Sequence, residues 1–216
     1  MELKIVYDNE AKPGFRKGWG FSCLIEMEDE KVLFDTGWDG NLLLSNLEKF
    51  GVKPVEIKRT IISHDHWDHA GGLVHIARKD MQLYVPRSFS ERLKDELSSR
   101  FELHEVRGAQ QIREGLWTTG ELGERIKEQS IALKTKRGLV IIVGCSHPGV
   151  RNILSVASRF GEVAGIIGGM HDFEDYEVLK GLKLIVSSHC TVNKKKIIEL
   201  FPGASLEGKA GLEISI

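Results

Sequence analysis

The sequence predicts an α/β fold in which two β-sheets pack together and carry helices on their outer faces, a four-layer αββα sandwich. Three observations carry that expectation. The first third of the chain reads as short β-branched or aromatic runs broken by turns, and the second half alternates apolar strands with helical segments. No internal repeat, low-complexity stretch or long linker divides the 216 residues, so one domain spanning 1–216 is expected.

Taken in order, "LKIVY", "FSCLIEM" and "KVLF" are strands separated by "KPG" and "EDE", and they form a meander. A helix follows from Asp39 to Phe50: Asp39 caps it, Leu42, Leu43, Leu47 and Phe50 make an apolar stripe, and Gly51 ends it. "RTIIS" is a short buried strand. Beyond it come a strand "QLYV", a polar helix through "SERLKDELSS" and short strands around Phe101 and Trp117. "SIALKT" and "LVIIVG" read as paired strands, "GVRNILSVASRF" as a helix, "VAGIIGG" and "LKLIVSSH" as strands, and "NKKKIIEL" as a helix. These later apolar runs are continuous, as in strands covered on both faces.

Composition narrows the function classes. Lys and Arg number 30 against 31 Asp and Glu, so net charge gives no reason to expect a nucleic-acid or anionic-membrane partner. No uncharged run approaches the roughly 18 residues of a membrane span, and "MELKIVYDNE" is charged where a signal peptide would be apolar. Three scattered cysteines, Cys23, Cys145 and Cys190, suit a reducing compartment rather than a disulfide framework. A cytoplasmic protein acting on a small molecule is expected.

The chemistry concentrates in "ISHDHWDHAGG". His64 and His66 are two apart, so in extended backbone both imidazoles point the same way and can meet one ion. Asp68 and His69 follow in a turn and can face a second ion, with Gly71 and Gly72 letting the backbone turn tightly. Four ligands cannot complete two sites, so further donors must come from elsewhere. His147, His171 and His189 each stand just beyond an apolar strand, in "LVIIVGCSHPG", "AGIIGGMHD" and "KLIVSSHC". One histidine after a strand is ordinarily a surface or core imidazole. Three of them at strand ends, where loops assemble sites, suggest a common centre.

H-x-H-x-D-H at 64–69, the preceding "FDTG" at 34–37 and the later histidines resemble the metallo-β-lactamase superfamily of two-metal hydrolases, over nearly the whole chain. "YDN", "GCSHPG", "GGMH" and "SHCT" resemble its dihydropteroate-synthase-like branch, linked to methanopterin biosynthesis. The resemblance implies the αββα sandwich, with His64, His66 and His147 around a first metal and Asp68, His69 and His189 around a second. Zinc is the first expectation, with manganese and iron as other divalent ions. His171 stands where many members have a bridging aspartate; it is expected as a ligand or as a substrate-binding group, with Asp172 as the alternative carboxylate. Asp35 is read either as a turn aspartate or as a carboxylate that orients a metal-bound imidazole, and the resemblance favours the second.

Two cations about 3.5–4 Å apart acidify a shared water and polarise a substrate oxygen, so hydrolysis of an ester, lactone, thioester or phosphoester is expected, with Asp68 also guiding the proton of the water. The branch implies an alternative, a transferase joining a pterin diphosphate to an aminobenzene ribosyl phosphate, and hence an anionic or pterin-like substrate. A non-catalytic metal or ligand sensor is the third reading. Cys145 and Cys190, close to His147 and His189 in sequence, are expected as small buried hydrophobes, with thiolate ligation the alternative. Trp67 is expected to pack beneath the ligands, with a place in a pocket wall the alternative. Phe15, Arg16 and Trp19 lie in a loop that either overhangs the site or tucks one ring into the core, and Lys194, Lys195 and Lys196 are expected on a solvated helix face, with contact to a substrate phosphate the alternative.

Overall fold

The computed structural model describes all 216 residues, Met1–Ile216. The chain forms two compact units: Met1–Val106 with Lys209–Ile216, and Arg107–Gly208. Each is built on one seven-stranded mixed sheet. No helix is long and apolar enough to cross a membrane.

In the first unit, β1 (Glu2–Tyr7), β2 (Ser22–Glu26) and β3 (Lys31–Phe34) form the expected antiparallel meander. The chain's last strand, Glu213–Ser215, adds to the free side of β1. Helix α1 (Gly40–Lys49) then carries the chain across, so that β4 (Ile57–Ile61) joins β3 in parallel. The Asp39 carboxylate caps α1 by accepting from the amides of Asn41 and Leu42, at 2.8 and 3.3 Å. Leu42, Leu43 and Leu47 face inward, as their i, i+1, i+5 spacing on one helical face requires. A short helical turn α2 (Trp67–Ala70), β5 (Gln82–Pro86), α3 (Glu91–Ser98) and β6 (Glu102–Val106) complete the unit, with β5 and β6 extending the parallel part. Leu24, Leu33, Leu43, Leu47, Ile57 and Leu83 are fully buried in one core.

The second unit opens with the antiparallel series β7 (Gly108–Arg113), β8 (Leu116–Gly120), β9 (Ile131–Thr135) and β10 (Gly138–Val143). Helix α4 (Val150–Ala157) connects β10 to its parallel neighbour β11 (Val163–Gly169), which pairs in parallel with β12 (Leu184–Ser188). Helix α5 (Lys194–Leu200) leads to a short parallel edge strand, β13 (Ser205–Glu207). Val150, Ile153, Val156 and Ala157 line the buried side of α4, and Val150, Ile153 and Ala157 share one core with Ile141, Val143 and Ile166. β10, β11 and β12 are buried at every residue after their first, consistent with their unbroken apolar runs.

Register decides where the strands deliver their loops. Phe34 lies opposite Ile61 in the β3–β4 pair, so the residues after both strands emerge side by side. In the second unit, Val143 lies opposite Gly168 and Gly169 opposite Ser188, so β10, β11 and β12 end at one edge. Strands β7, β13 and Glu213–Ser215 are absent from the sequence reading. "GAQQIR" in β7 lacks apolar alternation and stays largely exposed, and the other two are three-residue pieces fixed by their neighbours.

Candidate metal centre

In the first unit the site grows from the ends of β3 and β4. Asp35, the residue after β3, takes φ 58°, a left-handed conformation uncommon outside glycine. Its fully buried carboxylate has three donors: Ser63 N at 2.7 Å on Oδ1, and Ser63 Oγ at 2.8 Å and His69 Nδ1 at 2.7 Å on Oδ2. A buried carboxylate tolerates the loss of water only when so satisfied.

Proton bookkeeping then fixes both imidazoles. A carboxylate only accepts, so His69 carries its proton on Nδ1 and turns Nε2 toward the Asp68 carboxylate, whose Oδ2 is 3.9 Å away. Ser63 Oγ donates to Asp35 and therefore accepts from His64 Nδ1 at 2.8 Å, which puts the ring's lone pair on Nε2 in His64 as well. His64 Nε2 lies 3.0 Å from His66 Nδ1. Two nitrogens bound to one tetrahedral zinc at about 2.0–2.1 Å stand about 3.3 Å apart. The donor set of this unit thus fits a divalent cation in both chemistry and spacing.

Backbone contacts hold the cluster in shape. Thr36 binds the His69 carbonyl through its amide at 2.7 Å and its hydroxyl at 2.9 Å. Gly71 and Gly72 have ordinary helical dihedrals, so the turn itself does not need them. Their role is close approach: a Cβ at either would lie 2.4 Å from a carbonyl oxygen, of Trp38 or Thr36 respectively. Trp67 takes the alternative place. It is 74% exposed rather than packed in the cluster, and it lines a pocket of about 300 Å³ with Val74, Phe89, Leu93, Leu97 and Phe101. In the nearby loop, Phe15 packs on Phe50 with ring centroids 4.7 Å apart, while Trp19 stays exposed.

The second unit brings donors from three parallel strand ends. His147 follows β10, His171 follows β11 and His189 follows β12. The rings of His147 and His171 have centroids 4.7 Å apart. Donor atoms of Cys145, His147 and His171 lie within 4.8 Å of one another, as do those of Cys145, His189 and Cys190. His171 and His189 both take φ 46°, and Ser146 φ 60°. With Asp35 these are the chain's four non-glycine residues at positive φ, each costing roughly 1–3 kcal/mol, and all lie in these two clusters. His171 Nε2 is buried without a hydrogen-bond partner, while the ring borders a cavity of about 350 Å³ with Ser146, Met170, Asp172 and Phe173. The side chain's hydrogen bond to Cys190 raises the His171 pKa, against the effect of burial. Cys190 is pushed down to about 4, by its hydrogen bond to Cys145 first and then by His171, while burial opposes the shift. Because β11 ends at Gly169, the chain is not extended at Asp172, which is exposed at the cavity's rim. Lys195 and Lys196 are exposed on α5, and Lys194 is half-buried at its start.

One organising residue escaped the sequence reading. Glu128, fully buried, accepts four consecutive backbone amides: Gly144, Cys145 and Ser146 on Oε1 at 2.9–3.1 Å, and His147 on Oε2 at 2.8 Å. The carboxylate fills a nest of N–H groups and sets the shape of the loop that carries His147. Nothing in "KEQS" marks Glu128 as different from a surface glutamate.

Several known proteins are similar to this chain. The metallo-beta-lactamase superfamily model matches residues 20–147, more than half of the chain. An uncharacterized protein of Methanocaldococcus jannaschii, MJ0448, is 28% identical over 78% of each chain. From the same organism, 7,8-dihydropterin-6-methyl-4-(beta-D-ribofuranosyl)-aminobenzene-5'-phosphate synthase is 26% identical over 80% of each. The crystal structure of Tm1679, described as a metal-dependent hydrolase of the beta-lactamase superfamily, superposes with a TM-score of 0.83 at 26% identity, covering 100% of this chain and 99% of that one. The expected αββα class therefore holds for the whole chain. Proteins of this kind are generally enzymes and typically bind divalent metals, for which both histidine clusters provide donors. By sequence model and by fold, the chain belongs to the metallo-beta-lactamase superfamily.

Proposed function

We propose that the protein is a metal-dependent hydrolase that cleaves an ester, lactone, thioester or phosphoester bond of a small molecule. The aim of the imidazoles carries this reading. His64 and His69 have their Nδ1 atoms committed to Ser63 and Asp35, so each presents Nε2, and the His64 and His66 nitrogens already stand at nearly the separation of two ligands on one ion. A merely structural histidine pair needs no such alignment.

In this reading His64, His66, Asp68 and His69 of the first unit and His147 and His189 of the second are the metal-binding groups, with zinc preferred over manganese or iron for an imidazole-rich set. Bound there, divalent ions acidify water and polarise the carbonyl or phosphoryl oxygen of the substrate. The chain's own residues do the rest. Asp35 and Ser63 hold the tautomers of His69 and His64, the Asp68 carboxylate takes the proton that the attacking water gives up, and His171 binds the substrate from the wall of its cavity.

Purified protein reloaded with zinc or manganese is expected to turn over at least one probe of these four bond classes and to lose that turnover on chelation. Silence on every probe refutes the hydrolase reading. For His171, replacement by alanine is expected to weaken activity; unchanged metal occupancy together with unchanged turnover removes it from the site.

The kinship to the M. jannaschii synthase favours one other reading, a transferase that joins a pterin diphosphate to an aminobenzene ribosyl phosphate. Saturable binding of a pterin, without hydrolysis of any probe, would select it.

A further inference from the structure

We propose that Cys145 and Cys190 ligate metal through their sulfur atoms, adding thiolates to the ion at His189. The inference rests on the metal-dependent reading above and changes the donor set that reading assigns. A solitary buried cysteine is ordinarily a small hydrophobe. These two are different, because residues 45 apart in sequence bring their Sγ atoms to 3.4 Å, at the ends of β10 and β12. Two sulfurs on one tetrahedral zinc, each at about 2.3 Å, stand about 3.8 Å apart.

The surroundings are built to keep them there. Cys145 sits on the loop whose amides, its own included, are gathered by Glu128. Gly169 leaves the room that Cys190 occupies: a Cβ at Gly169 would lie 2.6 Å from Cys190 Sγ. The His189 donor nitrogen completes a set whose members all lie within 4.8 Å of one another and are all buried. Two thiolates and one imidazole supply three donors to a divalent ion from this unit alone. Each Sγ–H gives its proton to solvent as its bond to the metal forms, so no oxidant or reductant is consumed. Cys23, by contrast, lies buried in β2, where its thiol contacts the Leu24 carbonyl, and serves as an internal control.

Cobalt(II) reports the ligand type without any assay of activity. Full-length protein, kept reduced with a phosphine, is titrated with Co²⁺ and its absorption recorded. The expected spectrum has visible d–d bands together with a sulfur-to-cobalt charge-transfer band in the near ultraviolet. C145S or C190S removes about half of the charge-transfer band, the double variant removes all of it, and C23A leaves it intact. Visible bands without the charge-transfer band refute sulfur ligation while leaving metal binding in place. No visible bands at all refute the metal-dependent reading and this inference together. If the serine variants fail to fold, X-ray absorption of the zinc-loaded wild type decides: a sulfur shell at about 2.3 Å supports the proposal, and a shell of nitrogen and oxygen alone overturns it.

Discussion

The two units each bury one carboxylate against their histidine cluster, and they use it differently. In the first, Asp35 reaches an imidazole side chain and a hydroxyl, fixing protonation states within a motif of six consecutive residues. In the second, Glu128 gathers four backbone amides and so fixes the path of a loop. The comparison separates two ways of preparing a ligand: tuning the ring, or shaping the chain that carries it. The first suits a compact motif whose geometry a helical turn already supplies. The second suits donors scattered over three strands.

The sharpest way to break this contrast is Glu128→Ala. Four amides, three of them buried, would lose their acceptor at once, and an unsatisfied buried group costs about 1–3 kcal/mol. Stability measured by urea unfolding should fall by at least ~3 kcal/mol, with amide exchange accelerating first around Gly144–His147; uniform exchange across both units would show that the loop is not held this way.

Asp35→Asn comes next. Its amide, with Oδ1 still accepting from Ser63 N, would donate toward His69 Nδ1, forcing the proton of that ring to Nε2 and removing the coordinating lone pair. Metal affinity by calorimetry should drop roughly 10–100-fold. An unchanged affinity would mean that Asp35 serves only the fold.

A smaller loss, about 1 kcal/mol, is expected for Asp39→Ala, which uncaps α1 without touching either cluster. Metal affinity should stay at the wild-type value; a parallel loss of both would show that the helix start and the ligand loops are coupled.

The least effect at neutral pH belongs to Cys23, whose thiol burial pushes up to about 12 from an ordinary 9.0. Below pH 9 both folded and unfolded chains hold the proton and stability is unaffected. Between about 9 and 12 only the unfolded chain gives it up, so stability falls as pH rises, and Cys23→Ala should flatten that slope. Cys190 is pushed in the opposite direction.

Legibility followed locality. The meander β1–β3, the capped helix α1 and the alternation of β10, α4, β11, β12 and α5 could be read because periods of two and of 3.6 residues are written into neighbouring side chains. The cluster at 64–69 could be read as a group for the same reason. Trp67 could not, because whether an aromatic ring packs or stays in solvent depends on what lies above the turn, and here it is 74% exposed. Strand β7 was illegible because an edge strand needs no apolar face.

The sequence by itself determined which residues could bind metal and which strands would carry them, since donor chemistry and side-chain period are properties of short segments. Only the tertiary structure decided which partner each would meet. The opposition of Phe34 and Ile61 sets Asp35 beside Ser63, and the parallel ends of β10 and β12 bring Cys145 to Cys190. Strand register is chosen by the burial of whole sheet faces, and no local run of residues encodes which distant carboxylate or thiol that choice will bring into contact.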